Sequence, residues 1–144
     1  MSASEKRIST SEKETALIAA EIGQKLRPGD ILCLYGTLGA GKSVFARALI
    51  RTLCANNNLD VPSPTFTLVQ TYETSDTIIS HFDLYRIKDP EELYELGWEE
   101  ALDGITIVEW PERLSALKPP KTLDIIISTI ENDPNSRQIE IKDS

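Results

Sequence analysis

One octapeptide limits this chain more than any other stretch: Gly36-Thr37-Leu38-Gly39-Ala40-Gly41-Lys42-Ser43 fits G-x-x-x-x-G-K-[ST] at every fixed position. The chemistry asks for these residue types. Glycines let backbone amides curl around phosphates, and the following helix presents its positive N-terminus. The lysine reaches the β and γ phosphates, and the serine hydroxyl can coordinate Mg2+. The flanks agree with that use. Ile31 to Tyr35 is a short, continuously apolar run, the pattern of a strand covered on both faces. From Ser43, apolar residues recur at Phe45, Ala48, Leu49 and Leu53 with helical spacing, ending near Asn56-Asn57-Asn58. Strand, glycine loop and helix predict an α/β fold of the P-loop NTPase kind, a mixed, mainly parallel sheet flanked by helices.

The rest of the chain extends this unit. Ser11 with Glu14 has capping-box form, and Ile18, Ile22 and Leu26 follow at four-residue spacing, so a helix is predicted from about 12 to 26, stopped by Pro28-Gly29-Asp30. Phe66 to Glu73 and Thr77 to Tyr85 flank Thr74-Ser75-Asp76 and read as an inserted hairpin. Asp89-Pro90 with Glu92 opens a short helix through Leu96. After Asp103-Gly104, Ile105 to Val108 is a second buried-strand run. Leu123 to Ile130 and Arg137 to Ile141, around Asn132-Asp133-Pro134-Asn135, read as a C-terminal hairpin. With 144 residues, 40% of them hydrophobic and 26% charged, residues 1–144 are read as a single globular P-loop ATPase domain.

A phosphate loop needs a further carboxylate at a neighbouring strand end to hold magnesium or its waters. Asp83 and Glu109 both end hydrophobic strands, and a glutamate there can also activate the attacking water. Ser63-Pro64-Thr65-Phe66 sits at a loop-to-strand junction where nucleotide hydrolases place γ-phosphate sensors, or is an ordinary proline turn. Arg86 is either a phosphate-contacting cation or an exposed partner of Glu91 or Glu92. Trp110 is either a core aromatic or a gate over the site. The single His81 makes no metal cluster by itself, and Cys33 and Cys54 read as buried or semi-buried thiols in a reducing compartment. No apolar run approaches membrane length and Met1 to Thr10 has no signal core, so a soluble, cytoplasmic protein without membrane contact is expected. A net charge of −8 opposes unaided binding to a nucleic-acid backbone.

Taken in order, five segments resemble the bacterial TsaE (YjeE) family over about residues 10 to 115. They are Gly36 to Ser43, Ser63 to Phe66, His81-Phe82-Asp83-Leu84-Tyr85-Arg86, Asp89 to Leu93 with Gly97, and Val108-Glu109-Trp110-Pro111-Glu112. The resemblance implies a small ATPase required, with TsaD and TsaB and a threonylcarbamoyl-adenylate made by TsaC, for forming N6-threonylcarbamoyladenosine beside the tRNA anticodon. It implies ATP and Mg2+ as cofactors and contact with tRNA only indirectly, through the TsaB–TsaD complex. On matching positions, Gly36, Thr37, Leu38, Gly39, Ala40, Gly41, Lys42 and Ser43 would bind the nucleotide. Lys42, Asp83 and Glu109 would be catalytic, Ser43 and Glu109 would hold the metal, and Thr65 would lie in a switch-like segment. Thr10 or Ser11 would approach the nucleotide from the N-terminal side and Arg137 from the C-terminal hairpin. Two departures stand out: Thr37 where the family commonly has an acid, and Ser43 where it commonly has Thr, which keeps the hydroxyl. The rival readings are a small-molecule or nucleoside kinase, disfavoured by only seven arginines and no Arg-rich segment after the core helices, and a nucleotide-regulated binding module or GTPase-like switch; no N-K-x-D guanine signature is present, so adenine is preferred over guanine.

Overall fold

Four parallel strands form the centre of the sheet, and each owes its place to apolar side chains on both faces. The structure is a computed structural model and describes residues 4–37 and 39–143. The strands are β1 (Ser4–Ser9), β2 (Ile31–Tyr35), β3 (Val69–Glu73), β4 (Ile78–Asp83), β5 (Ile105–Glu109), β6 (Leu123–Ile130) and β7 (Asp133–Asp143). The helices are α1 (Glu12–Gly23), α2 (Lys42–Leu53), α3 (Glu92–Glu95) and α4 (Trp98–Ala101), with a 3-10 segment at Pro111–Leu117. Across the sheet the order is β1-β7-β6-β2-β5-β4-β3. The pairs β6–β2, β2–β5 and β5–β4 are parallel; β7 and β3 run against their neighbours, and β1 runs against β7. Five of the seven strands therefore point one way. This is the mixed, mainly parallel P-loop-like sheet that the motif predicts.

Alternation along the strands sorts side chains onto two layers. On one face Leu32, Leu34, Ile79, Ile107, Ile125 and Ile139 meet Ile18 of α1 and Phe45 and Leu49 of α2. On the other, Cys33, Phe82 and Val108 meet Leu93, Trp98 and Leu114 from α3, α4 and the 3-10 segment. Phe82 and Trp98 pack edge to face with centroids 5.2 Å apart. Leu49 has no exposed surface, so trimming such a side chain to Ala costs about 2–5 kcal/mol.

Several boundaries differ from the sequence reading. Helix α1 ends at Gly23 and not Leu26, because Lys25 N and Leu26 N bond back three residues, to Ile22 O and Gly23 O, in a tighter last turn. β1 was not foreseen: its residues Ser-Glu-Lys-Arg-Ile-Ser are those of a charged edge strand without an apolar run. The C-terminal turn is Glu131-Asn132, with Asn132 at φ 65°. The Asp-Pro-Asn stretch belongs to β7, where a register shift near Thr129 and Ile130 leaves it bulged. Cys33 is buried and Cys54 half-buried, both as free thiols. Among the described residues no helix is long and apolar enough to cross a membrane.

Candidate active site

The phosphate loop links the end of β2 to the start of α2, as its sequence requires. Gly41 caps α2 at φ 107°, a left-handed conformation that a side chain would strain, and a Cβ on Gly36 would lie 2.8 Å from Ile127 O. Lys42, the first residue of α2, is 6% exposed, and its Nζ has no hydrogen-bond partner. The ammonium sits 3.7 Å from the centroid of the Trp110 ring. Burial pushes Lys42 below its ordinary pKa, while Glu109, Glu112 and Asp83 pull it back up. Ser43 follows it, exposed, on the first turn of the helix. Trp110 reaches under Lys42 because its backbone is left-handed, at φ 58°, an uncommon conformation for a bulky residue; Tyr85 lies 4.9 Å away. Trp110 is thus packed on the site and also touches the core of the second face.

The two strand-end acids stand side by side. Parallel register places Asp83, the last residue of β4, opposite Glu109, the last residue of β5, and both are 5% exposed. Asp83 Oδ2 accepts from Thr65 Oγ1 at 3.1 Å and its Oδ1 from Tyr85 N at 3.0 Å. Ser63 Oγ and Thr65 Oγ1 are 2.7 Å apart, so the Ser63–Phe66 segment is tied to the acid pair and is more than a proline turn. Glu109 Oε2 lies 2.6 Å from Nε2 of His81. Arg86 lies over the exposed Phe66 ring, 4.8 Å from its centroid, and among the described residues it forms no ion pair with Glu91 or Glu92. Glu92 instead caps the turn, accepting from Lys88 N and Asp89 N.

A cavity of about 450 Å3 opens beside the loop. Thr10, Ser11 and Thr15 line one wall, Gly39, Gly41 and Val44 the floor, and Pro134, Asn135 and Arg137 the other wall. Two of the three hydroxyls of the first wall serve the cap of α1: Ser11 Oγ accepts from Glu14 N, and Thr10 Oγ1 donates to Glu14 Oε1. Arg137 braces the loop, donating from Nε to Ala40 O at 2.9 Å and from Nη2 to Gly39 O at 3.3 Å. Of the site residues taken from sequence, Gly36, Thr37, Gly39, Ala40, Gly41, Lys42 and Ser43 form the loop. Asp83, Glu109 and Thr65 line one side of it, and Thr10, Ser11 and Arg137 the other. Leu38 lies outside the described residues. The His81–Glu109 contact was missed. Its only trace in the sequence is the two-residue step from His81 to Asp83, which puts both on one strand face.

These residues suit a nucleoside triphosphate with magnesium. A buried ammonium without a partner is costly unless an anion completes it. Magnesium is held through one or two carboxylates, a hydroxyl, waters and phosphates rather than by an all-protein cage. A Ser hydroxyl and paired strand-end acids offer that set, and among the described residues no group of three or more His, Cys, Asp or Glu side chains forms a closed metal site.

Fold and loop together define an α/β protein of the P-loop class. Comparison with known proteins narrows the class. The family model described as "Threonylcarbamoyl adenosine biosynthesis protein TsaE" matches residues 9–139. A Rickettsia typhi protein named "tRNA threonylcarbamoyladenosine biosynthesis protein TsaE" is 45% identical over 133 residues, covering 92% of this chain and 90% of the relative. An Aquifex aeolicus protein of the same name is 42% identical over 131 residues, with 91% and 90% covered. The solved structure described as "Crystal structure of Bacillus subtilus YdiB" superposes with a TM-score of 0.80 at 26% identity, over 99% of this chain and 87% of that one. The chain belongs to the TsaE family.

Proposed function

We propose that this chain is a Mg2+-dependent ATPase that serves the formation of N6-threonylcarbamoyladenosine in tRNA, acting on a TsaB–TsaD complex through ATP binding and hydrolysis. The observation that carries the reading is the Lys42 ammonium, buried and unpartnered at the start of α2 and close to the paired acids Asp83 and Glu109.

The loop amides and Lys42 hold the β and γ phosphates, and the nucleoside lies in the cavity between Thr10-Ser11 and Arg137. Ser43 and Glu109 would hold the metal, with Asp83 supporting it or its water. Mg2+ held there would supply neutralisation of the charge on the phosphates. Glu109 accepts the proton of the attacking water, and Thr65 ties the Ser63–Phe66 segment to Asp83 so that this segment can follow the state of the γ-phosphate. With 23 acids against 15 bases, the chain works on tRNA through its partners.

The test is phosphate release from ATP by the parent chain and by Glu109→Gln, each with and without TsaB–TsaD. The parent is expected to turn over mainly with the pair present. The variant is expected to lose about 100-fold or more in rate while ATP affinity stays within about threefold, because the loop amides still hold the phosphates. Glu109→Gln hydrolysing at the parent rate would refute the assignment.

A further inference from the structure

Strand β4 carries a buried side chain that the mechanism above leaves without a role. His81 is 2% exposed and two residues upstream of Asp83, hence on the same sheet face, and its Nε2 is 2.6 Å from Glu109 Oε2. An ionised carboxylate has only lone pairs to offer, so the ring N–H at Nε2 is the donor. The other ring nitrogen, Nδ1, is buried with no partner.

Two observations separate this pair from ordinary core. On its own sheet face the nearest strand neighbours Ile79 and Ile107 are buried and apolar, so a leucine at position 81 would meet apolar side chains there. A buried polar or ionic pair stabilises a fold no more, and often less, than apolar groups of the same volume, and here it leaves Nδ1 unsatisfied as well. The bond also ends on a reacting group. Glu109 ends β5 after Ile105, Thr106, Ile107 and Val108 and stands opposite Asp83, whose own oxygens are tied by Thr65 and Tyr85 N. A single strong donor on one carboxylate oxygen fixes the plane of the carboxylate and directs the second oxygen.

We propose that His81 is a positioning residue whose Nε2–H sets the orientation of the Glu109 carboxylate toward the attacking water. The inference rests on the hydrolytic reading of Glu109 and adds to it the group that aims it. Loss of such an outer partner typically costs ten- to a hundredfold in activity.

The experiment uses the full chain with TsaB–TsaD. It measures kcat for ATP hydrolysis, calorimetric affinity for a non-hydrolysable ATP analogue, and the midpoint of thermal unfolding. His81→Leu is expected to lower kcat by about 10–100-fold, to leave affinity within about twofold, and to leave the midpoint unchanged or higher. His81→Gln, whose amide N–H falls near the place of Nε2, restores most of the rate; His81→Asn, which reaches only as far as Nδ1, does not. In a Glu109→Gln background His81→Leu adds no further loss, as coupled groups behave. Parent kcat in His81→Leu, with Glu109→Gln inactive, overturns this proposal and leaves the role of Glu109 standing. Parent kcat in Glu109→Gln removes both. If His81→Leu does not fold, the Gln and Asn variants decide, and equal rates in those two overturn the proposal.

Discussion

The two ends of the sheet hold cavities of opposite character. At the loop end, a cavity of about 450 Å3 adjoins a buried ammonium without a partner, two acids in register and a tryptophan in a left-handed backbone. At the other end, a larger space of about 700 Å3 lies among Glu5, Arg7, Glu21, Lys25, Asp30 and Lys121. Part of its charge is settled locally: Arg7 Nη1 donates to Glu21 Oε2 at 2.5 Å, and Asp30 Oδ2 accepts from Arg27 N at 2.8 Å. Volume alone would select the far end. What marks the loop end is an unmatched buried ammonium beside two acids in register, since charged groups held this way concentrate where a ligand or a reaction uses them.

The widest expected gap between the ends is in nucleotide affinity. Lys42→Ala is expected to weaken ATP binding by about ten- to a hundredfold, the worth of one charge-assisted hydrogen bond, with the thermal midpoint kept or raised because a buried unpaired charge is removed. Arg7→Ala at the far end is expected to leave affinity unchanged. Its effect on stability follows pH: the Arg7 hydrogen bond holds the Glu21 carboxyl below its ordinary 4.5, so any contribution is present above that value and fades as pH falls through it. Calorimetric titration, with unfolding followed from pH 7 to pH 3, reads both. Equal affinity losses in the two variants would erase the contrast.

Glycines sharpen it next. Gly36→Ala drives a methyl group against Ile127 O and is expected to cost stability and nucleotide affinity together. Gly29→Ala, at φ 96° with nothing within 4 Å, is expected to cost about 1–2 kcal/mol in denaturant titration and no affinity. A smaller, optical effect comes from tryptophan. Phosphates drawing Lys42 off the Trp110 ring are expected to shift emission on adding Mg-ATP, and Trp110→Phe abolishes the shift, leaving Trp98 silent in the far layer. The smallest is chemical: Cys33, buried in β2 with its pKa pushed up to about 12, is expected to stay unreactive toward a thiol reagent until the protein unfolds.

Local signals were legible in the sequence and register was not. The apolar run of β2, the loop, the spacing of α2 and the Ser11–Glu14 cap each depend on residues within a few positions, and each is found where the sequence puts it. Asp83 and Glu109 were legible as strand ends. Their pairing, and that of His81 with Glu109, depends on how β4 sits against β5 across 28 residues of chain, which no local pattern encodes. β1 escaped because a charged edge strand takes its order from pairing with β7. The C-terminal turn was misplaced because Asp-Pro-Asn has turn chemistry but is spent on a bulge next to Arg137.

The brace from Arg137 to the loop also sets an order of events during synthesis. Ninety-seven residues separate Arg137 from Ala40, and β6 must dock beside β2 before β7 can bring the guanidinium into place. Contacts this distant in sequence form late, after their loop-closure entropy has been met. While the chain is still leaving the ribosome, the glycine loop already exists but its carbonyls are unheld. The brace on the loop is thus completed only when β7 has joined the sheet.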